Sequence, residues 1–392
     1  MYLLKKNIMN DTKNKIVLIL KKINLLLTLS ISILLFVNNV SAEENFLGFI
    51  ESLEGKANKI VGDEKIKLNE FDQIFLNDKI LVGPASSVVI SFVDNSILTL
   101  ESNSEIIVDE FLIDTSNPVF SLSIGDGKFS FESGSIAKAK KGSMLIKLLG
   151  KKQKNPQELE VDSQTVVIRL RGTLVSGSNI DDNKEVALIE DSMGNVGSLE
   201  VTIGEETTTV TEPSAGISLS ANNETQRTIL SEDDTKQIKD TIKGATIASS
   251  TQSEENIDRA IIKKLANGTI PDLNGDGVND LADIEAFKAV LLDLKKSKLE
   301  YLVEQSKDDL SLLSEIIINS SSNQSMGLME NMMENNSENA SLLMAEIVGQ
   351  EFDIFSHVSS SETGNFENLR KTIVTEMIAD DSSFVADTMA QM

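Results

Sequence analysis

Ser87-Val88-Val89-Ile90-Ser91-Phe92-Val93-Asp94-Asn95-Ser96-Ile97-Leu98-Thr99-Leu100 has the pattern of two short strands joined by a tight turn. Val88, Ile90 and Phe92 recur at period two, which puts them on one face of an extended strand with Ser91 between. Asp94-Asn95 supplies residues that tolerate positive φ, as a tight hairpin turn requires. Leu98 and Leu100 then return the chain on the same apolar face. Outward from this hairpin, residues 45–220 repeat the grammar: short β-branched runs punctuated by Gly, Asn, Asp and Ser every eight to twelve positions. Strands are expected at 46–52, 79–82, 105–113, 119–124, 127–133, 144–148, 165–169, 173–176, 185–190, 197–203, 207–210 and 216–219. The fold class is therefore multidomain α+β: an N-terminal all-β module of short stacked strands, sandwich or solenoid-like, followed by a mainly α-helical C-terminal region.

The chain begins with a different signal. Residues 1–22 hold six lysines against one acid, Asp11, and an uncharged apolar run fills 23–37. Val40-Ser41-Ala42 then places small residues before Glu43-Glu44. A basic segment, an apolar run and a small-residue exit make an export signal, so 1–42 reads as a signal peptide. The apolar run is shorter than the roughly 20 residues a spanning helix needs; an uncleaved anchor helix is the alternative. The whole chain carries −25, and loss of six lysines and one aspartate leaves about −30. Such a charge argues against nucleic acid and anionic membrane as partners, and suits a soluble envelope protein or a cation binder. There is no cysteine, which excludes disulfides, thiolate zinc sites, cysteine nucleophiles and a lipoprotein anchor. His357 is the single histidine, there is no tryptophan, and there are two tyrosines, a poor endowment for a Ser-His-Asp triad or an aromatic sugar platform.

Beyond the β module, residues 221–253 are Thr-, Ser- and Asn-rich and read as a linker with a helix candidate at 232–243. From 254 the period becomes helical. Ile257, Ile261 and Leu265 share one face, and Ile284, Phe287, Leu291 and Leu294 another. Residues 300–392 are Met- and Asn-rich, with helix candidates near 307–318, 340–348 and 369–378; their methionines suit soft core filling.

Three segments of the β module carry more than composition. They are Phe92-Val93-Asp94-Asn95-Ser96-Ile97-Leu98-Thr99-Leu100, Gly127-Lys128-Phe129-Ser130-Phe131-Glu132-Ser133-Gly134-Ser135-Ile136-Ala137-Lys138, and Val166-Val167-Ile168-Arg169-Leu170-Arg171-Gly172-Thr173. In this order and spacing they resemble the FecR domain, in which a "DGS" turn precedes a "G-x-F-x-F-x-S-G" strand and a closing "RGT". The resemblance covers about 45–220 and is nearest to the stand-alone exported form of the domain in Gram-negative bacteria, with its "SG-x-IAK" step at 133–138. Asn95 stands where the family has Gly, and a Lys-rich insertion between Lys147 and Thr165 is expected to protrude. The member that gives the family its name is a membrane-spanning regulator with a cytoplasmic N-terminal domain acting on a sigma factor. The 22 residues before the apolar run leave no room for such a domain, so the resemblance supports the periplasmic domain and not that mechanism. Arg171 is expected to tie carbonyls or a carboxylate at its turn rather than to read an anionic ligand. Residues 138–154 hold seven lysines and no acid; they are either a docking patch for phosphate or acidic glycan, or a solvated loop that relieves self-repulsion.

Asp272-Leu273-Asn274-Gly275-Asp276-Gly277-Val278-Asn279-Asp280-Leu281-Ala282-Asp283 fits a twelve-residue calcium loop. Asp272, Asn274, Asp276, Asp280 and Asp283 supply side-chain oxygens, Val278 its carbonyl, and Gly277 the sharp turn. Ca2+ is thus the one cofactor expected, with an affinity of roughly 10⁻⁴–10⁻³ M. The loop resembles one EF-hand-like repeat of a dockerin, but no second repeat follows, so cohesin binding is doubtful. The expected organisation is a signal peptide at 1–42, a FecR-like domain at 45–220, a linker at 221–253, a calcium-loop unit at 254–298 and a helical region at 300–392. The expected function is that of a non-enzymatic cell-envelope binding or scaffold protein, periplasmic or secreted, whose partner is an envelope protein or a glycan. The alternatives are a membrane-anchored FecR-type transducer facing the periplasm and, behind it, a dockerin-like adaptor or glycan-acting enzyme. Membrane contact is expected only if the signal segment stays uncleaved, and oligomeric state is not legible.

Overall fold

A computed structural model describes residues 46–62, 64–113, 115–150, 152–153, 161–162, 164–191, 194–251, 257, 259, 261, 281–305, 309–335, 343, 346–347, 350 and 354–359. These residues all belong to one compact unit. The strands are β1 (Phe46–Glu54), β2 (Ala57–Val61), β3 (Glu64–Lys67), β4 (Gln73–Phe75), β5 (Lys79–Val82), β6 (Ser87–Phe92), β7 (Ile97–Leu100), β8 (Glu105–Leu112) and β9 (Val119–Glu132). After the single turn α1 (Ser135–Lys138) come β10 (Ser143–Leu148), β11 (Lys152–Gln153), β12 (Val161–Asp162), β13 (Val166–Arg171), β14 (Leu174–Ile180), β15 (Asn183–Ile189), β16 (Ser198–Ile203), β17 (Glu206–Val210), β18 (Ala215–Leu219) and β19 (Thr225–Ile229). The helices are α2 (Glu232–Thr251), α3 (Leu281–Gln305), α4 (Leu310–Asn319), α5 (Ser322–Asn335) and α6 (Ile354–Ser359). The chain is α+β as its patterning predicts, with an all-β first part and helices after it.

The strands fold into two layers. One runs β4-β1-β6-β7-β9-β14-β15-β18-β19. The other runs β3-β2-β5-β8-β9-β10-β13-β16-β17. β9 belongs to both. Its first half pairs with β8 and, in parallel, with β10; its second half pairs with β7 and β14. The crossing falls at Gly125-Asp126-Gly127, where Gly127 has φ 98° and a Cβ would overlap Ser104, so only glycine fits the bend. Residues 119–124 and 127–133, expected as two strands, are one bent strand because the glycine pair bends the backbone without ending its ladder.

Alternation decides what lies between the layers. Val88, Ile90, Phe92, Leu98 and Leu100 of the opening hairpin all enter one core with Phe120, Leu122, Ile124, Ile146 and Ile168 of the other layer. Phe120 is its hub: its ring packs edge-on against Phe92, Phe111 and Phe131 at 4.7, 4.8 and 5.8 Å. The alternate residues of the first layer, Phe49, Ser91, Ile97, Thr99, Glu132, Leu174 and Ile189, face the other way, and the helices lie on them. Ile97, Leu174 and Ile189 bury Ile242 of α2, while Phe49 and Phe71 bury Phe287 and Leu291 of α3 together with Ile257 and Ile261.

In the segment read as a linker, residues 221–251 hold β19 and the twenty-residue α2, whose Ile242 and Ile247 are buried. The helix candidate at 232–243 falls inside α2, which runs eight residues further; polar composition hid that extension because α2 needs only a narrow apolar stripe against the sheet. The hairpin β2–β3, strand β4 and strand β19 also escape the sequence reading, being short and burying at most one residue each. The Lys-rich insertion carries the small hairpin β11–β12, and its residues 154–160 lie outside the described residues. In the helical region Met326 and Met329 fill a core with Leu312, Leu313, Ile316 and Ile317, as expected of soft packing residues. The helix candidate at 369–378 lies outside the described residues.

Candidate functional site

The three motif segments meet at one place. In the hairpin turn, Asn95 takes φ 70°, the left-handed conformation expected of it. Asp94 closes the turn: Oδ1 accepts the Ser96 amide at 3.0 Å and Oδ2 the Ser96 hydroxyl at 2.9 Å. The second motif docks on it. The Gly134 amide donates to Ser96 Oγ at 2.9 Å, and the Ser135 amide to the Asp94 carbonyl at 2.7 Å. A Cβ on Gly134 would overlap that carbonyl, which accounts for the glycine after Ser133. The third motif joins through Ser133, whose amide donates to the Thr173 carbonyl at 3.0 Å and whose Oγ accepts the Thr173 amide at 2.8 Å. Thr173 Oγ1 in turn donates to the Ile189 carbonyl at 2.9 Å. The motifs therefore form a polar knot in which hydrogen bonds run from the first motif to the second and from the second to the third.

Thr173 tests this view. It is fully buried, so Thr173→Val keeps the shape but leaves the Ile189 carbonyl short of a donor. The expected loss is about 1–2 kcal/mol. It is read as a lower urea midpoint at unchanged slope; an unchanged midpoint would remove Thr173 from the knot.

Helix α3 lies over the knot. Along one face it buries Asp283, Phe287, Leu291, Lys295, Lys298, Leu299 and Leu302, at helical spacing. Lys295 Nζ donates to Glu51 Oε1 at 3.0 Å and Oε2 at 3.3 Å, and to the Ser249 carbonyl at 2.9 Å. It also sits 5.3 and 5.8 Å from the Phe49 and Phe71 ring centres. Burial pushes the Glu51 carboxyl up and the Lys295 ammonium down, and their pairing opposes both shifts. Lys298 is 4% exposed, and its Nζ meets no hydrogen-bond acceptor among the described residues. Burial lowers it to about 8, with Glu51 and Asp94 acting the other way. Burial also raises Asp94, against the hydrogen bonds from Ser96. One turn further, Tyr301 Oη accepts the Lys138 ammonium at 2.8 Å. Asn95, Glu132, Ser133, Lys138, Lys298 and Tyr301 line a cavity of about 20 Å³, room for about one water molecule.

Lys295 and Lys298 are absent from the sequence reading, which stops the apolar stripe of this helix at Leu294. The available signal was spacing: both lysines continue the stripe of Phe287 and Leu291 by steps of four and three. Arg171 behaves otherwise than expected. It is exposed and makes no hydrogen bond or ion pair among the described residues, while the backbone of Thr173 does the tying. Two lysines of the run face different partners: Lys138 turns to Tyr301, and Lys147 pairs with Asp109 at 3.2 Å on the other layer. His357 Nε2 lies 3.2 Å from Ser325 Oγ and 3.1 Å from the Ser320 carbonyl, inside the helical region.

Of the six expected calcium ligands, Asp272, Asn274, Asp276, Val278 and Asp280 lie outside the described residues. Asp283 is described: it is fully buried in the first turn of α3, where a carboxylate also complements the helix dipole. Among the described residues no group of three or more His, Asp or Glu side chains is placed to hold a metal.

No curated protein matches the chain. Two crystal structures of a proposed anti-sigma factor from Parabacteroides distasonis ATCC 8503 are similar to it at 10% and 12% identity, each with a TM-score of 0.29 and covering 38% of this chain. The chain spans 59% of the length of that protein. Residues 78–196 match the family model described as FecR protein, a shorter span than the 45–220 expected. All three motif segments lie inside the match, and it is over this stretch, from β5 to the end of the knot, that the chain resembles the FecR domain.

Proposed function

We propose that this chain is an exported, non-enzymatic binding or scaffold protein of the cell envelope. Its FecR-like β module is the rigid platform and its helices are the variable attachment. The observation that carries the reading is the polar knot: the motif groups hydrogen-bond to one another and tie the hairpin turn, the end of β9 and the start of β14 together. That is the arrangement of a structural signature rather than of a reaction centre. The composition of residues 1–42 supports export, and the acidic remainder supports a partner that is an envelope protein or glycan rather than nucleic acid. Among the described residues no helix is long and apolar enough to cross a membrane. Mass spectrometry of the native N-terminus tests the reading. A chain starting at Glu43, recovered in the periplasm or medium, is the expected result. An intact N-terminus in the inner membrane would favour the anchored transducer instead.

Calcium belongs to the same proposal, held by Asp272, Asn274, Asp276, Val278, Asp280 and Asp283. Support comes from the loop spacing and from Asp283, which begins the helix that covers the knot. Calorimetric titration of the mature chain is expected to show one site near 10⁻⁴–10⁻³ M. Calcium at ten times its Kd should add about 1.4 kcal/mol of stability. Asp272→Ala with Asp276→Ala should abolish both effects; heat release that survives these substitutions would place the metal elsewhere.

A further inference from the structure

We propose that α3 is a displaceable strap: it lifts from the first β layer as a unit, without the sandwich unfolding, and in lifting uncovers the motif knot. Four observations converge on this seam. First, buried charge gathers there. Glu51 from β1, Asp94 from the hairpin turn and Glu132 from β9 face Lys295 and Lys298 from α3, with Glu70 beside Glu51 and Lys138 and Tyr301 at the rim. Around Phe120, by contrast, the sandwich core is built of apolar side chains. Buried ion pairs contribute little net stability because both partners leave water. Second, the apolar grip of α3 on this layer is confined to its first half, where Phe287 and Leu291, flanked by half-buried Ile284, Leu292 and Leu294, meet Phe49 and Phe71. Third, the Lys298 ammonium is enclosed without a hydrogen-bond partner among the described residues, so closing the strap costs free energy at that one group. Fourth, the packing defect is at the same place: the 20 Å³ cavity separates Lys298 and Tyr301 from Asn95 and Ser133.

The charge sets a direction with pH. Lys298 titrates near 8 when the strap is closed and near 10.5 when it is open. Its penalty is therefore fully present below pH 8 and is relieved as pH rises toward 10.5, so the strap tightens. Lys295, also lowered, adds in the same direction. Glu51 and Asp94 are raised by burial, so their penalty stands at neutral pH and is relieved only on acidification. Near neutrality the strap thus carries its largest charge burden, and there it is easiest to lift.

Hydrogen exchange on the full mature chain tests the strap, with rates corrected for the intrinsic pH dependence. At pH 7 the amides of 285–303 and 93–98 should exchange together and faster than 120–124 in the sandwich core. Lys298→Met removes the buried charge and should slow exchange of 285–303 by roughly tenfold, with 120–124 unchanged. Raising wild type from pH 7 to pH 9 should move it toward the variant. Exchange of 285–303 at the rate of 120–124 would overturn the proposal, and so would faster exchange in Lys298→Met. Should that variant fail to fold, Tyr301→Phe decides. Loss of the Lys138 hydrogen bond should quicken 285–303 and 93–98 together, and quickening of 285–303 alone would mean that α3 does not cover the knot.

Discussion

Replacing Glu51 with alanine is expected to lower the unfolding free energy by about 3–5 kcal/mol, the cost of leaving an uncompensated charge in the interior. Lys295 has the Ser249 carbonyl and two ring faces as its other partners, and none of these carries a full negative charge. At 2% side-chain exposure it also has little access to water. The companion measurement separates the pair from the position. Glu51→Ala combined with Lys295→Met should recover most of the loss, since both ionised groups are then gone and the methionine packs against Phe49 and Phe71. A double variant no more stable than Glu51→Ala would show that Glu51 matters for something other than its lysine. Acidification does not mimic the substitution: burial raises the folded carboxyl, so the closed state takes up the proton more readily and protonating Glu51 lightens the buried charge at the seam.

The second large effect is expected at Phe120. Its side chain is fully buried and touches Phe92, Phe111 and Phe131, which come from both layers. Phe120→Ala removes the ring and leaves a hole bounded by strands that cannot collapse without breaking their ladders. The expected cost is about 3–5 kcal/mol. Phe120→Leu, which refills much of the volume, should lose clearly less. Urea denaturation followed by circular dichroism reads both, and equal midpoints for the two variants would refute the packing argument.

The β module was legible because its signals are local. The alternation at Val88, Ile90 and Phe92, the Asp94-Asn95 turn and the paired Phe129 and Phe131 each show within a few residues what face they occupy. Strands β3 and β19 were not legible, since their residues are mostly exposed, and β2 and β4 bury a single residue each, so alternation has no apolar face to report. The motifs pointed to the FecR resemblance, but not to the fact that Asp94, Ser96, Ser133, Gly134 and Thr173 bond to one another. That depends on segments about 40 residues apart arriving side by side. The lysines of α3 were hidden for a different reason. A lysine on a helix reads as solvated, and only Glu51, 244 positions away in the chain, reveals that Lys295 is not.

The shared strand β9 imposes an order of events on synthesis. Everything before it, β1 to β8, lacks its closing neighbour in both layers until residues 119–132 have emerged. Everything after it, beginning with β10 and β14, needs those same residues as a template. A chain appearing from its N-terminal end therefore holds two unfinished half-sheets with open edges for as long as β9 is missing, and that interval is when it is most open to pairing with the wrong neighbour. A holding chaperone would be needed mainly until residue 132 is out, and a truncation before that residue should aggregate where one placed after β19 does not.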